Sequence, residues 1–299
     1  MNDYNNFDKL RINIKAIFES NIRRKKEYNN FFLIKFFKRY LIAILYRFGI
    51  YERLINSGII TGWFEEFKEY WTKVLGGRPL WFHDFHFLLG IYRQKYQNVE
   101  VPPNSSEKQF LEAWQNPGAN YQLFAAVRRF SYLPLYCYHF EKWIKNGDSI
   151  LEYGCGIAPI SHSLLNYSLK KNLDITIADI QQINSHFAKW RMGEKVSFLN
   201  IKPYENCLNE KKLYDVVFMV TVMEHLPNPI ETVKNITNNL KPNGIFVFDY
   251  ILSDGSGLDT REAVDKRKEV LDYISSKYNL ISGKLDAKMS MDTTVCKLK

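Results

Sequence analysis

The stretch ILEYGCGIAP, residues 150–159, decides the fold, because it joins a short apolar run to two closely spaced glycines. The apolar run is typical of a buried strand. Gly154 and Gly156 suit a tight turn in which the backbone comes close to a ligand. Pro159 fits the first turn of a following helix, where its missing N–H costs nothing. The stretch therefore predicts a strand, a glycine loop and a helix, although an ordinary glycine turn is the alternative.

Short apolar runs alternate with helical segments from about residue 147 onward. The predicted strands are 148–153, 174–179, 195–201, 214–220 and 245–250, with two more near 279–285 and 293–298. The predicted helices are 159–170, 184–192, 228–239 and 259–277, and a turn is predicted at Pro242, Asn243 and Gly244. This alternation predicts an α/β fold with a parallel sheet covered on both faces. Ligands of such sheets bind beyond the carboxyl ends of the strands.

A carboxylate ends the second predicted strand, where it lies 25 residues after Gly154. Asp179 in that place can accept hydrogen bonds from ribose hydroxyls, as in several nucleoside-binding Rossmann-like folds. Glu152 places a second carboxylate just before the glycines. Taken alone, Asp179 would be a turn residue. The glycine loop and the strand spacing together favour a ligand-binding role.

These motifs resemble class I S-adenosylmethionine (SAM)-dependent methyltransferases. ILEYGCGIAP is similar to their motif I, (E/D)-x-G-x-G, although Ala158 stands where many members have a third glycine. YDVVFMVTVMEHLPNP (214–229) and LKPNGIFVF (240–248) resemble the fourth strand, its loop and the next strand of the branch that includes ubiquinone-biosynthesis O-methyltransferases. The resemblance covers 147–299. It implies a Rossmann-like seven-stranded sheet with a final antiparallel hairpin strand, and SAM as the cofactor.

The resemblance also implies a role for each residue that matches the motifs. The methionine end of SAM is expected beside the glycine loop, the ribose at Asp179, the adenine beyond the second and third strands, and the methyl group at the end of the fourth. The cofactor-binding residues predicted in this way are Glu152, Tyr153, Gly154, Cys155, Gly156, Asp179, Ile180, Asn200, Ile201, Lys202, Val220 and Thr221.

His225 and Glu224, in the loop after the fourth predicted strand, are the predicted catalytic residues. An alcohol acceptor must lose its proton, and a histidine with a pKa near 6.5 suits that task. The alternative is that Glu224 and His225 cap the next helix and brace the site. The same loop has no Asp/Asn-Pro-Pro-aromatic motif, no cysteine and no aspartate. These absences argue against adenine N-methylation, covalent cytosine chemistry and a bound metal.

Residues 1–146 are predicted to form a helical, aromatic-rich region, an arm and possible substrate lid before the methyltransferase domain at 147–299. Its predicted helices are 8–27, 30–48, 62–75, 107–116, 119–130 and 134–145. The chain carries a net charge of +9, and residues 1–53 alone contain 12 Lys/Arg against 5 Asp/Glu. Such an arm suits nucleic acid, an anionic membrane or an acidic partner, and a solvated helix face is the alternative.

The apolar stretch around residues 30–50 contains Lys35, Lys38, Arg39 and Arg47, and this favours a non-spanning helix. It is predicted either to lie on a membrane surface or to pack on the rest of the protein. The start of the sequence lacks the pattern of a secretory leader. The four cysteines form no C-x-x-C pair. The expectation is a cytoplasmic protein with reduced thiols, either free in the cytoplasm or peripheral at a membrane.

The leading hypothesis is methylation of a small-molecule or glycan acceptor, on oxygen. An RNA or protein methyltransferase that docks through its basic arm is an alternative, although the absence of a recognition module argues against nucleic acid. An inactive adaptor with the same fold is another. A nicotinamide-dependent oxidoreductase is disfavoured, because Pro159 has no N–H to offer a pyrophosphate at the helix N-terminus. The sequence does not predict the oligomeric state.

Overall fold

The computed structural model describes residues 32–57, 59–131, 133–204, 208 and 212–299. The predicted helix 8–27 and most of the basic arm lie outside this part of the chain. Within it, seven strands form one sheet in the order β3-β2-β1-β4-β5-β7-β6. The strands are β1 Ser149–Tyr153, β2 Asp174–Asp179, β3 Ser197–Asn200, β4 Tyr214–Met219, β5 Leu240–Tyr250, β6 Tyr278–Ser282 and β7 Met291–Leu298.

Strands β1 to β5 pair in parallel, and β7 runs antiparallel to both of its neighbours. The predicted seven-stranded sheet with an antiparallel hairpin strand is therefore confirmed. The strand order reverses at β1, which lies between β2 and β4. In an open parallel sheet this reversal opens a crevice at the carboxyl ends of the strands, where ligands bind. The glycine loop that follows β1 thus lies at the point where the topology favours a site.

Helices cover both faces of the sheet. Along the chain they are α1 Phe32–Arg47, α2 Ile50–Asn56, α3 Gly62–Glu69, α4 Phe82–Tyr96, α5 Glu107–Trp114, α6 Asn120–Phe130, α7 Leu135–Phe140, α8 Pro159–Tyr167, α9 Ile183–Met192, α10 Pro229–Asn238, α11 Arg261–Asp265 and α12 Arg267–Lys277. One core joins α7, α8 and α9 to the sheet. The other core joins α10 and α12 to the opposite face. None of the helices in the described part of the chain has the length and apolar character needed to cross a bilayer.

The helices before α7, apart from α5, pack around a third, aromatic core. Trp63, Phe67 and Phe124 are buried in it together with Ile157 of the glycine loop and Phe187 of α9. The predicted helical character of this region is confirmed for its described residues. The division at residues 146 and 147 stays a prediction, and it follows a change in sequence pattern rather than a gap in packing.

Three local predictions need correction. The predicted turn at Pro242, Asn243 and Gly244 lies within the bounds of β5 as an irregularity of the strand, where Asn243 adopts a positive φ of 64° and the register with β4 shifts. The predicted helix 259–277 is two helices, α11 and α12, that meet at Lys266. The predicted helix 62–75 is α-helical to Glu69 and continues as a π-helical turn, Tyr70–Val74.

Candidate functional site

A cavity of about 330 Å³ opens at the carboxyl ends of β1, β2 and β4. Its volume lies in the range that small-molecule ligands occupy. The lining includes eleven of the residues predicted from the sequence, namely Glu152, Tyr153, Gly154, Cys155, Gly156, Asp179, Ile180, Ile201, Val220, Thr221 and His225. The fold therefore brings together, on one wall, residues that lie up to 73 positions apart in the chain.

Asn200, Lys202 and Glu224 do not lie on the cavity wall, contrary to expectation. Asn200 and Lys202 are exposed, because side chains alternate along the extended chain at the end of β3 and only Ile201 points inward. Glu224 is buried behind the cavity, beside Tyr250 and Arg267. Burial is the main cause that raises its pKa.

The glycine loop curves because three of its residues have a positive φ. Gly154 has φ 66°, and a Cβ there would lie 2.4 Å from Val222, so only glycine lets this loop touch the loop after β4. Gly156 has φ 52°, and a Cβ there would meet no atom within 4 Å. Ala158 has φ 54°, a conformation that strains a residue with a side chain. This explains why a glycine is common at that place in the motif, and it gives the loop a concave backbone that faces open space.

Glu152 fixes the junction between this loop and α8. Its two carboxylate oxygens accept hydrogen bonds from the backbone N–H groups of Ile160 and Ser161, at 3.1 and 2.7 Å. These N–H groups belong to the first turn of a helix, where the helix itself offers no acceptor. Burial raises the pKa of Glu152 to about 7, while the bonds from Ser161 and Ile160 act in the opposite direction. The carboxylate thus holds the loop in place from behind as well as bordering the cavity.

Asp179 connects β2 to the glycine loop. One of its oxygens accepts a 2.6 Å hydrogen bond from the N–H of Gly156, and the other accepts from the N–H of Ile180 and from Nε2 of Gln182, at 2.7 and 3.1 Å. Burial raises its pKa to about 6. The Cys155 thiol, a weak donor, also hydrogen-bonds this carboxylate. A carboxylate has about four acceptor positions, so a ribose hydroxyl in the cavity would compete only with this weak donor for the fourth.

His225 is held by a carboxylate that the sequence did not reveal. Its Nδ1 lies 2.8 Å from Oδ1 of Asp259 and 3.1 Å from the carbonyl oxygen of Leu258. Its ring meets the Trp114 ring edge to face at 5.1 Å. Burial lowers the pKa of His225, but the bond to Asp259 and the charge of Glu224 outweigh burial and raise it. With Nδ1 donating to Asp259, neutral His225 presents Nε2 as a proton acceptor.

Thr221, the second residue after β4, has a strained backbone. Its φ is 55°, and its N–H donates a 2.6 Å hydrogen bond to Oδ1 of Asp249 on β5. Burial raises the pKa of Asp249 to about 7. Strain of this kind costs about 1–3 kcal/mol and is typical of functional sites. Asp249 was missed, although a carboxylate in the apolar run IFVFDY was a usable signal.

The remaining wall of the cavity comes from helices that precede the sheet. Its residues are Phe110 and Trp114 of α5, Gln122, Ala126, Arg129 and Phe130 of α6, and Tyr136 of α7. Four of these are aromatic. Arg129 adds a cation, with its guanidinium carbon 5.2 Å from the centre of the Phe130 ring. The sequence predicted a lid in this region but none of these residues.

A profile of the family described as "Methyltransferase domain" matches residues 116–282, more than half of the chain. Similar curated proteins include the ubiquinone biosynthesis O-methyltransferase of Rickettsia canadensis, 33% identical over 106 residues, which are 34% of this chain and 42% of that protein. The protein of the same name from Nitrosospira multiformis is 23% identical over 158 residues, 52% of this chain and 62% of that one.

The chain thus spans about two-fifths of the length of the first relative and three-fifths of the second. Among solved structures, a similar one is the 1,6-didemethyltoxoflavin-N1-methyltransferase of Burkholderia thailandensis with bound 1,6-didemethyltoxoflavin and S-adenosylhomocysteine. It is 14% identical, its TM-score is 0.46, and the match covers 66% of this chain and 92% of that one.

Proposed function

The chain belongs to the family of SAM-dependent methyltransferases, and on this premise we propose that it transfers a methyl group from SAM to a hydroxyl group of a small molecule. The observation that carries this proposal is the pair formed by His225 and Asp259, 2.8 Å apart at the wall of the cavity. A histidine oriented by a carboxylate is a suitable base for a hydroxyl group. The names of the curated relatives, which are O-methyltransferases, support the same class of reaction.

The cavity has the features that SAM requires. The concave backbone at Gly156 leaves open space where the methionine part of SAM and its sulfur can approach closely. Asp179 has about one acceptor position for a ribose hydroxyl, and Ile180 and Ile201 offer apolar surface for the base. Arg129 supplies a cation suited to the carboxylate of the methionine part. When bound, SAM supplies a methyl group that is already activated by a positively charged sulfur.

The protein's own contribution is to orient the acceptor and to receive its proton. His225 Nε2 takes up the proton of the acceptor hydroxyl, and the resulting imidazolium is stabilised by Asp259 at Nδ1. A positioned base of this kind contributes about 10²- to 10⁴-fold to a rate. The edge-to-face contact with Trp114 keeps the imidazole ring from turning away from the cavity.

The helical wall sets the class of acceptor. Phe110, Trp114, Phe130 and Tyr136 line the cavity, and aromatic side chains bind flat apolar rings. Aromatic faces also suit the apolar side of a sugar ring, so we propose a phenolic compound or a single sugar unit of a glycan as the acceptor.

The test is to incubate the purified full chain with methyl-labelled SAM and a crude extract, and then to separate small-molecule, lipid, glycan, nucleic-acid and protein fractions. We expect label in a small-molecule, lipid or glycan fraction, and loss of the label with His225→Gln. His139→Gln is the matched control, because His139 is an exposed histidine on α7 that does not line the cavity. Label in nuclease-sensitive or protein material would contradict the proposal. If the His225→Gln variant labelled the same fraction as strongly as the wild type, His225 would not be the base.

A further inference from the structure

Helix α1 has apolar residues on two sides. On one side Ile42 is buried, and Leu45 and Tyr46 pack against the aromatic core of the N-terminal helices. On the other side Leu41 and Ile44 are exposed, to 57% and 53%. Phe48, just beyond the helix end, is 71% exposed. Spacings of three and four residues place these three side chains on one side, and we call them the exposed stripe.

The exposed stripe belongs to a concentration of apolar surface rather than to a random scatter. Of the 16 large hydrophobic side chains that are exposed in the described part of the chain, seven lie between residues 37 and 59. Single exposed hydrophobic residues are normal, whereas a contiguous group marks a surface that binds something.

Cations border this apolar surface. A shallow cleft beside α1 is lined by Tyr40 and Ala43 of the helix and by Lys142 and Lys170 of the catalytic half. The carboxylate of Glu141 in the same cleft accepts hydrogen bonds from the Ser168 hydroxyl and the Leu169 N–H. The apolar surface is therefore bordered by two described cations, Lys142 and Lys170.

We propose that α1 docks on the surface of an anionic lipid bilayer, with Leu41, Ile44 and Phe48 inserted between the lipids and with Lys142 and Lys170 at the headgroups. An amphipathic helix with cations beside its apolar face binds such a surface by insertion and charge attraction together. A second copy of this chain is a poorer partner, because two surfaces of the same positive charge repel each other.

Helix α1 shares its core with residues of the cavity wall. Ala126 and Phe130 line the cavity, and they pack in the same aromatic core as Leu45 and Tyr46 on the inner side of α1. The helix that contacts the lipid thus packs with the wall of the site.

Flotation with lipid vesicles tests this proposal with the full chain. The vesicles are phosphatidylcholine alone, and phosphatidylcholine mixed with phosphatidylglycerol. We expect flotation only with the mixed vesicles, and weaker flotation at high salt. The double variant Leu41→Glu and Ile44→Glu should lower the partition coefficient by at least about tenfold, since it removes two inserted side chains and adds two negative charges. Lys142→Gln and Lys170→Gln should each lower it by up to about fivefold.

Leu280→Glu is the matched control, because Leu280 is 48% exposed on strand β6 and should not contact the lipid. Titration with S-adenosylhomocysteine checks that each variant is folded. The proposal is overturned if the protein does not float, or if it floats equally well with neutral and mixed vesicles. It is also overturned if Leu280→Glu lowers flotation as much as the Leu41 and Ile44 double variant does. A different outcome is a dimer in light scattering that dissociates in the Leu41 and Ile44 double variant, with no flotation of the wild type. That result would overturn the proposal and make this face an interface between copies. Since no readout uses methyl transfer, the proposed reaction can fail independently.

Discussion

Replacing Asp179 by asparagine tests whether the cavity holds a nucleoside through this carboxylate. Three internal N–H donors already bind Asp179, so a ribose hydroxyl would compete only with the weak Cys155 donor for the fourth acceptor position. A hydrogen bond to a charged acceptor contributes about 1.5–3 kcal/mol. Asp179→Asn should therefore raise the dissociation constant of S-adenosylhomocysteine by about 10- to 160-fold, at 1.36 kcal/mol for each factor of ten. Isothermal titration calorimetry with the full chain measures this constant directly.

The matched control is Asp174→Asn at the other end of the same strand. The Asp174 side chain is 57% exposed, and it pairs with Lys212 at 2.9 Å on the surface. We expect its loss to leave the affinity unchanged, because exposed ion pairs contribute little. Asp179→Asn should weaken the binding of adenosine by the same factor as that of S-adenosylhomocysteine, because both ligands would share the ribose contact. A folded Asp179→Asn variant that binds both ligands as tightly as the wild type would refute the reasoning. So would one that binds adenosine normally and S-adenosylhomocysteine weakly.

Four further outcomes are expected. Gly156→Ala should weaken S-adenosylhomocysteine binding, because its Cβ would enter the space beside the loop. Gly49→Ala, with a left-handed φ of 66° and equally open space, should cost about 1 kcal/mol of stability and leave binding unchanged. Burial raises the pKa of Asp179 to about 6, and only the ionised form keeps all its acceptor positions. The affinity for S-adenosylhomocysteine should therefore fall below pH 6 by up to about tenfold per pH unit. Asp179→Asn should flatten this dependence in a calorimetric series. With the acceptor identified, His225→Gln should lower kcat by about 10²- to 10⁴-fold. Asp259→Asn should move the acidic limb of the pH–rate profile to lower pH, because loss of the carboxylate lowers the pKa of His225.

The strands of the sheet could be predicted because their signal is local. Apolar runs of five or six residues that end in glycine or a carboxylate need no distant partner to be recognised. The second strand was predicted at its observed bounds, 174–179. The glycine loop was equally visible, because the positive φ at Gly154 and Gly156 is a conformation that few other residues tolerate.

The partners of the site residues could not be predicted, because they depend on the path of distant loops. Asp259 lies 34 positions after His225, in a run of serines, glycines and aspartates that locally indicates only a turn. The contact forms because the chain after β5 returns to the loop after β4. Glu152 shows a different limit. Its place before the glycines is consistent with a ligand contact, and the hydrogen bonds to the first turn of α8 appear only in three dimensions.

Arg191 joins residues on both sides of the predicted boundary at residue 147, which follows a change in sequence pattern. This buried residue of α9 lies 3.1 Å from the carboxylate of Glu66 on α3 and donates hydrogen bonds to the carbonyl oxygens of Ile157 and Ser131. One guanidinium therefore joins the N-terminal helices to the glycine loop. Removing one partner of a buried ion pair costs about 3–5 kcal/mol, because the other charge stays buried without compensation. Since the guanidinium that holds the glycine loop is itself held by Glu66 and by the carbonyl oxygen of Ser131, the helices before residue 147 contribute to the stability of the site as well as to its wall.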